Sequence, residues 1–230
     1  MIADILPAGV VAAESFGPPG NGKLFPAETA AIATADPVRR AEFAAGRAVA
    51  RAALARMGVP AGPVLPGRAG EPRWPDGVVG SITHCAGYRA CAVAPARGMA
   101  AIGIDAEPCL TLADGLLAAV AGAAERAWLA ELGAASPGMP WDRLLFSAKE
   151  SVYKAWYVYT GRRPVLQNVT IQISAAGTFA AGLPHDRGAA PGSGRPAPAS
   201  RPPPAPPPAR LTGRWLVGGG LIVTALTVPR

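Results

Sequence analysis

Two acidic residues, Asp105 and Glu107, alternate near the end of an apolar segment that stops at Pro108. Because residues i and i+2 of a strand face the same side, roughly 7 Å apart, the two carboxylates are expected to point together. Like charges on one face repel each other unless water or a hard cation surrounds them. Mg²⁺ is the favoured cation, because it needs only one or two carboxylates and takes its other oxygens from water and phosphates. A solvated strand end before a turn is the alternative.

A second charged group lies in the segment 146–154, Phe-Ser-Ala-Lys-Glu-Ser-Val-Tyr-Lys. Glu150 and Lys154 are four residues apart, on the face opposite an apolar stripe of helical spacing. The pair is compatible with a site, with a surface ion pair and with a capping box from Ser147 to Glu150. The apolar stripe already begins at Trp141, which argues against a helix that starts at Ser147.

Basic and hydroxyl side chains occur in two further places. Thr83 and His84 end a predicted strand; loops after strands commonly build sites, although a lone histidine is more often structural. Arg39 and Arg40 lie in the first turn of a predicted helix, where cations oppose the helix dipole, so an anionic group nearby would explain them. Arg47 lies inside the apolar stripe of the same helix and therefore needs a partner.

The elements that would position these residues follow from apolar periodicity and turn signals. Strands are predicted over 78–84, 89–94, 100–107 and 169–173, with a closing hairpin over 211–217 and 221–228. Helices are predicted over 37–57, 114–120, 123–132 and 141–159. The proline-rich segment 184–210 has too few large apolar residues to order itself, so a flexible insertion is predicted there. Each part of the chain holds a helix and a group of strands, which allows a pseudo-duplicated α+β fold.

Composition restricts the class of protein. The chain has 230 residues, enough for one large domain or two small ones. Its net charge of +7 favours an anionic partner, such as nucleic acid, a phosphorylated small molecule or an acidic protein. The cysteines are 3 in number and lack zinc-ligand spacing, which disfavours a disulfide framework or structural zinc and fits a reducing cytosol. No signal peptide or membrane-spanning run is recognisable, so a soluble cytoplasmic protein is expected.

Three of these blocks together resemble one family. Residues 80–84 (Gly-Ser-Ile-Thr-His), 103–108 (Gly-Ile-Asp-Ala-Glu-Pro) and 146–154 are similar, in letters, order and spacing, to the signature blocks of 4′-phosphopantetheinyl transferases of the two-half, surfactin/enterobactin-activating type. The resemblance covers most of the chain but not the proline-rich insertion. It implies an α+β fold of two pseudo-symmetric α/β halves, 1–97 and 98–230, with the active site in the cleft between them.

The resemblance also implies roles for individual residues. The magnesium ligands would be Asp105, Glu107 and Glu150. Glu150 would also be the catalytic base, and Lys154 the catalytic cation beside the leaving phosphate; Glu150 as a ligand only, with water as the base, is the alternative. The residues that match coenzyme A contacts in the family are Arg39, Arg47, Thr83, His84, Lys149 and Lys154.

The implied activity is transfer of the phosphopantetheine arm of coenzyme A to a serine of an apo carrier protein, with release of 3′,5′-adenosine bisphosphate. The implied partners are acyl, peptidyl or aryl carriers of fatty-acid, polyketide, nonribosomal-peptide or siderophore pathways. A monomer that binds neither nucleic acid nor membrane is expected. A magnesium-dependent nucleotide phosphohydrolase is one alternative, but it does not explain the lysines around Glu150. A basic nucleic-acid-binding module is the other, but it leaves three carboxylates facing phosphate without a metal.

Overall fold

The computed structural model describes residues 1–18, 20, 22–183 and 210–230. The helices are α1 (Pro26–Ala31), α2 (Pro37–Arg56), α3 (Leu116–Val120), α4 (Ala123–Ala135) and α5 (Trp141–Thr160). The strands are β1 (Val11–Phe16), β2 (Val78–Cys85), β3 (Tyr88–Pro95), β4 (Met99–Pro108), β5 (Thr170–Ser174), β6 (Thr178–Gly182), β7 (Arg210–Gly218) and β8 (Leu221–Pro229). They form a three-stranded sheet, β1-β3-β2, and a five-stranded sheet, β4-β8-β7-β6-β5. The predicted α+β class is confirmed.

In the N-terminal part, α2 packs across the three-stranded sheet. The Asp36 carboxylate caps this helix by accepting the Arg39 backbone N–H at 2.9 Å. Leu54 of the helix is buried against a cluster that includes Val93 of β3. The chain leaves the helix through Gly58, whose φ of +73° suits glycine. The helix predicted for this segment is therefore confirmed.

In the C-terminal part, α5 packs against the five-stranded sheet, mainly on β4 and β8. The apolar stripe predicted from the sequence is the face that packs, since Leu144, Leu145 and Val152 are fully buried. They share a core with Ile222 and Leu226 of β8. The stripe buries apolar surface along most of the helix, which is the main source of its stability.

Side chains of β2 join the two sheets. The Ser81 hydroxyl accepts the Ile104 backbone N–H at 3.2 Å, and the Thr83 hydroxyl accepts the Ala106 N–H at 3.0 Å. Beside these bonds, a core that includes Tyr88 of β3 and several residues of β4 and β8 spans the junction. The end of β4 that carries the acidic residues is therefore fixed against β2.

Some features differ from the sequence prediction. The helix predicted over 123–132 continues past Gly133 to Ala135, because a glycine inside a helix is tolerated at modest cost. β1, α1 and β6 were not predicted, since their sequences lack a clear period. The predicted flexible insertion over 184–210 lies outside the described residues, except for Arg210, which begins β7. Among the helices of the described residues, none is long and apolar enough to cross a membrane.

Candidate active site

A cavity of about 200 Å³ lies between β2 and α5. It is lined by residues from both parts of the chain, namely 69–72, Gly80, Ser81 and Ile82 on one side and Glu150, Tyr153, Lys154, Tyr157 and Val158 on the other. The two predicted catalytic residues, Glu150 and Lys154, thus lie one helical turn apart on the same wall.

Gly103 determines how closely α5 approaches β4. A Cβ atom at this position would overlap the backbone carbonyl of Ser151 and would lie 2.8 Å from the Ala155 backbone nitrogen. Only a glycine leaves room for so close a backbone approach. The glycine of the Gly-Ile-Asp-Ala-Glu-Pro block therefore brings α5 against the strand that carries Asp105 and Glu107.

Asp105 is buried where the two sheets and α5 meet. Its Oδ1 accepts hydrogen bonds from Lys154 Nζ at 2.7 Å and from the Thr83 hydroxyl at 3.2 Å. Its Oδ2 is buried and has no hydrogen-bond partner among the described residues. Thr83 is itself buried, and its hydroxyl binds both Asp105 and the Ala106 N–H. The predicted contact of Thr83 with coenzyme A is not supported by this placement; the hydroxyl positions Asp105.

Glu107 is bound by an arginine that the sequence analysis did not identify. Glu107 Oε2 accepts a hydrogen bond from Arg143 Nη1 at 2.9 Å, and the same guanidinium donates to the carbonyls of Leu110 at 3.0 Å and Thr111 at 2.8 Å. Burial and then the negative charge of Asp105 raise the pKa of Glu107, against the effect of Arg143. Arg143 precedes Glu150 by two helical turns and so lies on the same face, a spacing that could have revealed it.

Glu150 is partly buried in the wall of the cavity. Burial is the largest effect on its carboxyl group and raises its pKa. The negative charges of Asp105 and Glu107 raise it further, and the positive charge of Lys154 opposes them. The structure therefore brings Asp105 and Glu107 close enough to Glu150 to raise its pKa.

The carboxylates are held mainly by cations of α5. Lys154 binds Asp105, and Arg143 binds Glu107. In the part of the chain that the structure describes, no set of three Asp, Glu, His or Cys side chains is arranged so that it could hold a metal ion. The observed arrangement is an ion-pair network between β4 and α5, and the predicted magnesium site is not itself seen.

His84 lies in a different place from Thr83, because neighbouring residues of a strand face opposite sides. It lines a second cavity, of about 390 Å³, between α2 and the β2–β3 turn. His84 Nε2 is 3.3 Å from Glu42 Oε2, and Arg39 Nη1 is 3.4 Å from the same oxygen. The structure thus groups Arg39 and His84 around Glu42, a residue that the sequence analysis missed, and the side chains of Arg39 and His84 are partly exposed.

Arg47 finds its partners inside the N-terminal part of the chain. Its Nε donates to the Val64 carbonyl at 2.7 Å, and its guanidinium lies 3.8 Å from the centroid of the Phe43 ring. Burial lowers the pKa of Arg47 to about 10. The residue is only 6% exposed and lines neither of the two cavities described above. The predicted contact with the 3′-phosphate of coenzyme A is therefore not supported, and its partners indicate a structural role.

Lys149 is also enclosed, although its neighbour in the sequence, Glu150, lines the cavity. Its ammonium group donates to Glu125 Oε2 at 2.6 Å and to the carbonyls of Val120 at 2.8 Å and Leu166 at 2.9 Å. The side chain has no exposed surface. Burial lowers the pKa of Lys149, and the hydrogen bond and charge of Glu125 oppose that effect. The predicted approach of Lys149 to the coenzyme A pyrophosphate is not supported by this placement.

Known proteins resemble this chain over nearly its whole length. A family model described as the 4′-phosphopantetheinyl transferase N-terminal domain matches residues 27–94, and the model of the 4′-phosphopantetheinyl transferase superfamily matches residues 101–193. The chain is 48% identical to 4′-phosphopantetheinyl transferase Svp of Streptomyces mobaraensis, over 99% of this chain and 89% of that protein. It is 39% identical to 4′-phosphopantetheinyl transferase PptT of Mycobacterium tuberculosis, over 99% and 98% of the two chains.

A further relative matches in part. Enterobactin synthase component D of Salmonella typhi is 40% identical over 51% of this chain and 48% of that protein. Together with the two family models and the relatives of full length, this similarity is sufficient to assign the family. The chain belongs to the 4′-phosphopantetheinyl transferase superfamily, and it is an enzyme that transfers phosphopantetheine from coenzyme A to carrier proteins. The resemblance noted in the sequence is thereby confirmed.

Proposed function

We propose that the cavity between β2 and α5 is where the enzyme transfers 4′-phosphopantetheine from coenzyme A to a serine hydroxyl of an apo carrier protein. In this reaction the serine oxygen bonds to the β-phosphorus of coenzyme A, and the bond from that phosphorus to the bridging oxygen breaks. The leaving group is 3′,5′-adenosine bisphosphate. The observation that carries the proposal is that Glu150 and Lys154 line one cavity, and that Lys154 also binds the buried Asp105, in a chain that belongs to this family.

The metal ligands that we propose are Asp105, Glu107 and Glu150. Oxygen donors of this kind suit Mg²⁺. The buried Oδ2 of Asp105 has no hydrogen-bond partner among the described residues, and a buried carboxylate oxygen needs a donor or a cation. When bound, Mg²⁺ would neutralise charge that develops on the phosphate oxygens. Burial first, and then the neighbouring negative charges, raise the pKa values of Glu107 and Glu150.

Glu150 is our candidate for the group that accepts the serine proton. It lines the cavity, and its raised pKa makes it a stronger base than an ordinary glutamate once it is ionised. Lys154 is our candidate for the cation beside the leaving phosphate. Its side chain is 28% exposed and lines the same cavity, so a phosphate could reach it while Asp105 holds it in place.

For coenzyme A binding we retain Arg39, His84 and Lys154 and assign the other predicted residues to positioning or structure. The three retained residues keep exposed surface at the two cavities or next to them. Arg39 and His84 share Glu42, so a phosphate would compete with that carboxylate for both side chains. Thr83, Arg47 and Lys149 are buried.

We further propose a cytoplasmic monomer made of two pseudo-symmetric halves, 1–97 and 98–230. Coenzyme A is an intracellular substrate, and the three cysteines carry free thiols, as is usual in reducing compartments. The similarity to an enterobactin synthase component favours siderophore carriers as substrates, among carriers of secondary-metabolite synthases in general. Size-exclusion chromatography with light scattering tests the monomer, because a mass of twice 23.2 kDa would contradict it.

Intact mass spectrometry of an apo carrier protein, incubated with the enzyme, coenzyme A and Mg²⁺, tests the proposal. The expected result is a mass gain of one phosphopantetheine that EDTA abolishes and added Mg²⁺ restores. Thermal stabilisation by coenzyme A with Mg²⁺, measured in parallel, reports binding without turnover. A mass gain that is unaffected by EDTA would contradict the metal assignment. Hydrolysis of coenzyme A without a mass gain would instead favour the phosphohydrolase alternative.

A further inference from the structure

We infer that Lys149 and Glu125 form a buried positioning pair, which fixes the orientation of α5 and so aligns Glu150 and Lys154, without contact between the pair and coenzyme A. The inference rests on the proposed roles of Glu150 and Lys154. It assigns a role to Glu125, which lies outside the three sequence blocks. It also gives Lys149 a role other than phosphate binding.

The ammonium group of Lys149 is saturated by protein acceptors. It has three N–H donors, and the structure provides three oxygens, at 2.6 Å on Glu125, 2.8 Å on Val120 and 2.9 Å on Leu166. The side chain is 0% exposed. A phosphate could reach this group only if the three oxygens moved away, so Lys149 is built to hold protein rather than ligand.

Glu125 is equally engaged. Its Oε2 accepts Lys149 and also the Gly122 backbone N–H at 3.4 Å, and its Oε1 accepts the Ile171 backbone N–H at 2.9 Å. The pair therefore ties α5 to the end of α3, the start of α4, the turn after α5 and β5. Lys149, through which these segments are joined to α5, is not among the residues that line the cavity.

Several other contacts of α5 lie on its sheet side. On the sheet side, the bare Gly103 allows close approach to Ser151, and the Ser147 hydroxyl meets the Thr224 hydroxyl at 3.0 Å. These contacts, together with the Arg143–Glu107 and Lys154–Asp105 ion pairs, hold the helix against β4 and β8. The Lys149–Glu125 pair is the directional contact that ties a different flank of the helix to α3, α4 and β5. Lys149 precedes Glu150 by about 100° around the helix, so a bond on the far flank fixes the direction of Glu150.

Energetics favour a positioning role over a stabilising one. Replacing a buried ion pair by apolar residues of similar volume is often neutral or stabilising, whereas removing one partner alone is strongly destabilising. A displacement of about 1 Å at a catalytic group can reduce the rate on the order of 100-fold. The pair should therefore be replaceable for folding but not for turnover.

The test is a kinetic comparison of the wild type with K149M/E125L, in which both charges are replaced by apolar side chains. The isosteric E125Q variant is the second test, in case the double variant does not fold. Transfer to an apo carrier protein gives kcat and KM for coenzyme A, and calorimetry with coenzyme A and Mg²⁺ gives Kd. We expect kcat to fall on the order of 10–100-fold with KM and Kd within about threefold of the wild type.

The matched control is E131Q, which removes an exposed carboxylate from the same helix as Glu125 and should leave all three constants unchanged. A rise of KM and Kd by about tenfold with kcat retained would show that Lys149 contacts coenzyme A and would overturn the inference. Unchanged kinetics in a folded K149M/E125L or in E125Q would overturn it as well. E150Q in the same assay separates the two proposals: full activity of E150Q would contradict the proposed function, whatever the pair variants do.

Discussion

The two long helices, α2 and α5, are alike in length and packing but use their charged side chains differently. Each has 20 residues and packs against an antiparallel sheet. Each also buries one long cation, Arg47 in α2 and Lys149 in α5. Arg47 is held by a carbonyl and an aromatic ring, and its Nη2 has no partner among the described residues. Lys149, in contrast, has an acceptor for each of its N–H donors.

The two helices also differ in how far the buried anchoring cation lies from the residue proposed to bind ligand or act in catalysis. On α2, the candidate ligand-binding residue Arg39 lies in the exposed first turn, more than one turn away from the buried Arg47. On α5, Lys149 and Glu150 are adjacent, so the buried anchoring residue and the proposed catalytic residue lie next to each other in the middle of the helix. A displacement of α5 would therefore reach the active residues directly, whereas a displacement at Arg47 would reach Arg39 only through the length of the helix.

The largest expected effect is that of Glu150→Gln. The amide cannot accept the serine proton and is a weaker metal ligand, so transfer should fall on the order of 10²–10⁴-fold. The fold should persist, because the substitution is isosteric and removes a carboxylate whose ionisation is disfavoured by burial. Mass spectrometry measures transfer, and thermal denaturation measures the fold. Activity within tenfold of the wild type would remove Glu150 from the chemistry.

Gly103→Ala should also reduce transfer, through the position of α5. The added methyl group would overlap the Ser151 carbonyl, so either α5 or β4 must shift. Overpacking of this kind costs about 1–3 kcal/mol in the free energy of unfolding. Gly133→Ala is the matched control, because a Cβ there meets nothing within 4 Å and alanine favours a helix interior by about 0.5–1 kcal/mol. Urea denaturation of both variants should give changes of opposite sign, and equal changes would refute the argument.

Much of the fold could be predicted because apolar periodicity reports burial directly. The stripe from Trp141 predicted α5, and the Asp36, Pro37 and Gly58 signals predicted α2. The sequence did not predict β1, α1 and β6, because short segments rich in alanine and glycine show little apolar periodicity. The predicted end of α4 was wrong. A glycine such as Gly133 ends a helix only where the chain needs a positive φ, and at this position φ is not positive.

The candidate site was also predicted in part, but from residue spacing and family resemblance and not from apolar periodicity. The acidic residues and Lys154 were identified from spacing and resemblance, and the structure brings them together at one junction. The sequence could not show which basic residues are enclosed, because exposure depends on contacts far apart in the chain. Lys149 meets Glu125 and Leu166 only after α3, α4 and β5 have packed around α5. Arg143 was missed because its partner, Glu107, lies 36 residues away.

A smaller effect is expected from Arg39→Ala, which tests the role proposed for a charged residue of α2 in the comparison with α5. Arg39 is half exposed beside His84, so its loss should raise KM for coenzyme A by about tenfold or less; a tenfold change corresponds to about 1.4 kcal/mol. Stability should hardly change, because exposed ion pairs contribute little.

Arg47→Met should lower the free energy of unfolding by about 1–3 kcal/mol, because the Val64 carbonyl loses its donor. KM for coenzyme A should stay within twofold of the wild type. A raised KM in Arg47→Met alone would restore its predicted phosphate contact.

The smallest expected effect is a pH dependence of stability caused by the buried carboxyl group of Glu150. Burial raises the pKa of Glu150 above its ordinary value of 4.5. Between that value and the folded-state pKa, the folded protein binds more protons than the unfolded chain, so stability falls as pH rises through this interval. The contribution of Glu150 is fully present below its unfolded pKa and is lost as pH rises through its folded pKa.

Glu150→Gln has no such group, so the comparison of melting temperatures isolates the effect. In EDTA, the variant and the wild type should melt alike near pH 4, and the variant should melt higher at pH 7. The matched variant Glu131→Gln, which removes an exposed carboxylate from α4, should show no difference that grows with pH. A wild type that is more stable than Glu150→Gln at pH 7 would mean that the ionised carboxylate is favoured in the fold. The positive charge of Lys154 would then outweigh both burial and the negative charges of Asp105 and Glu107 in setting the pKa of Glu150.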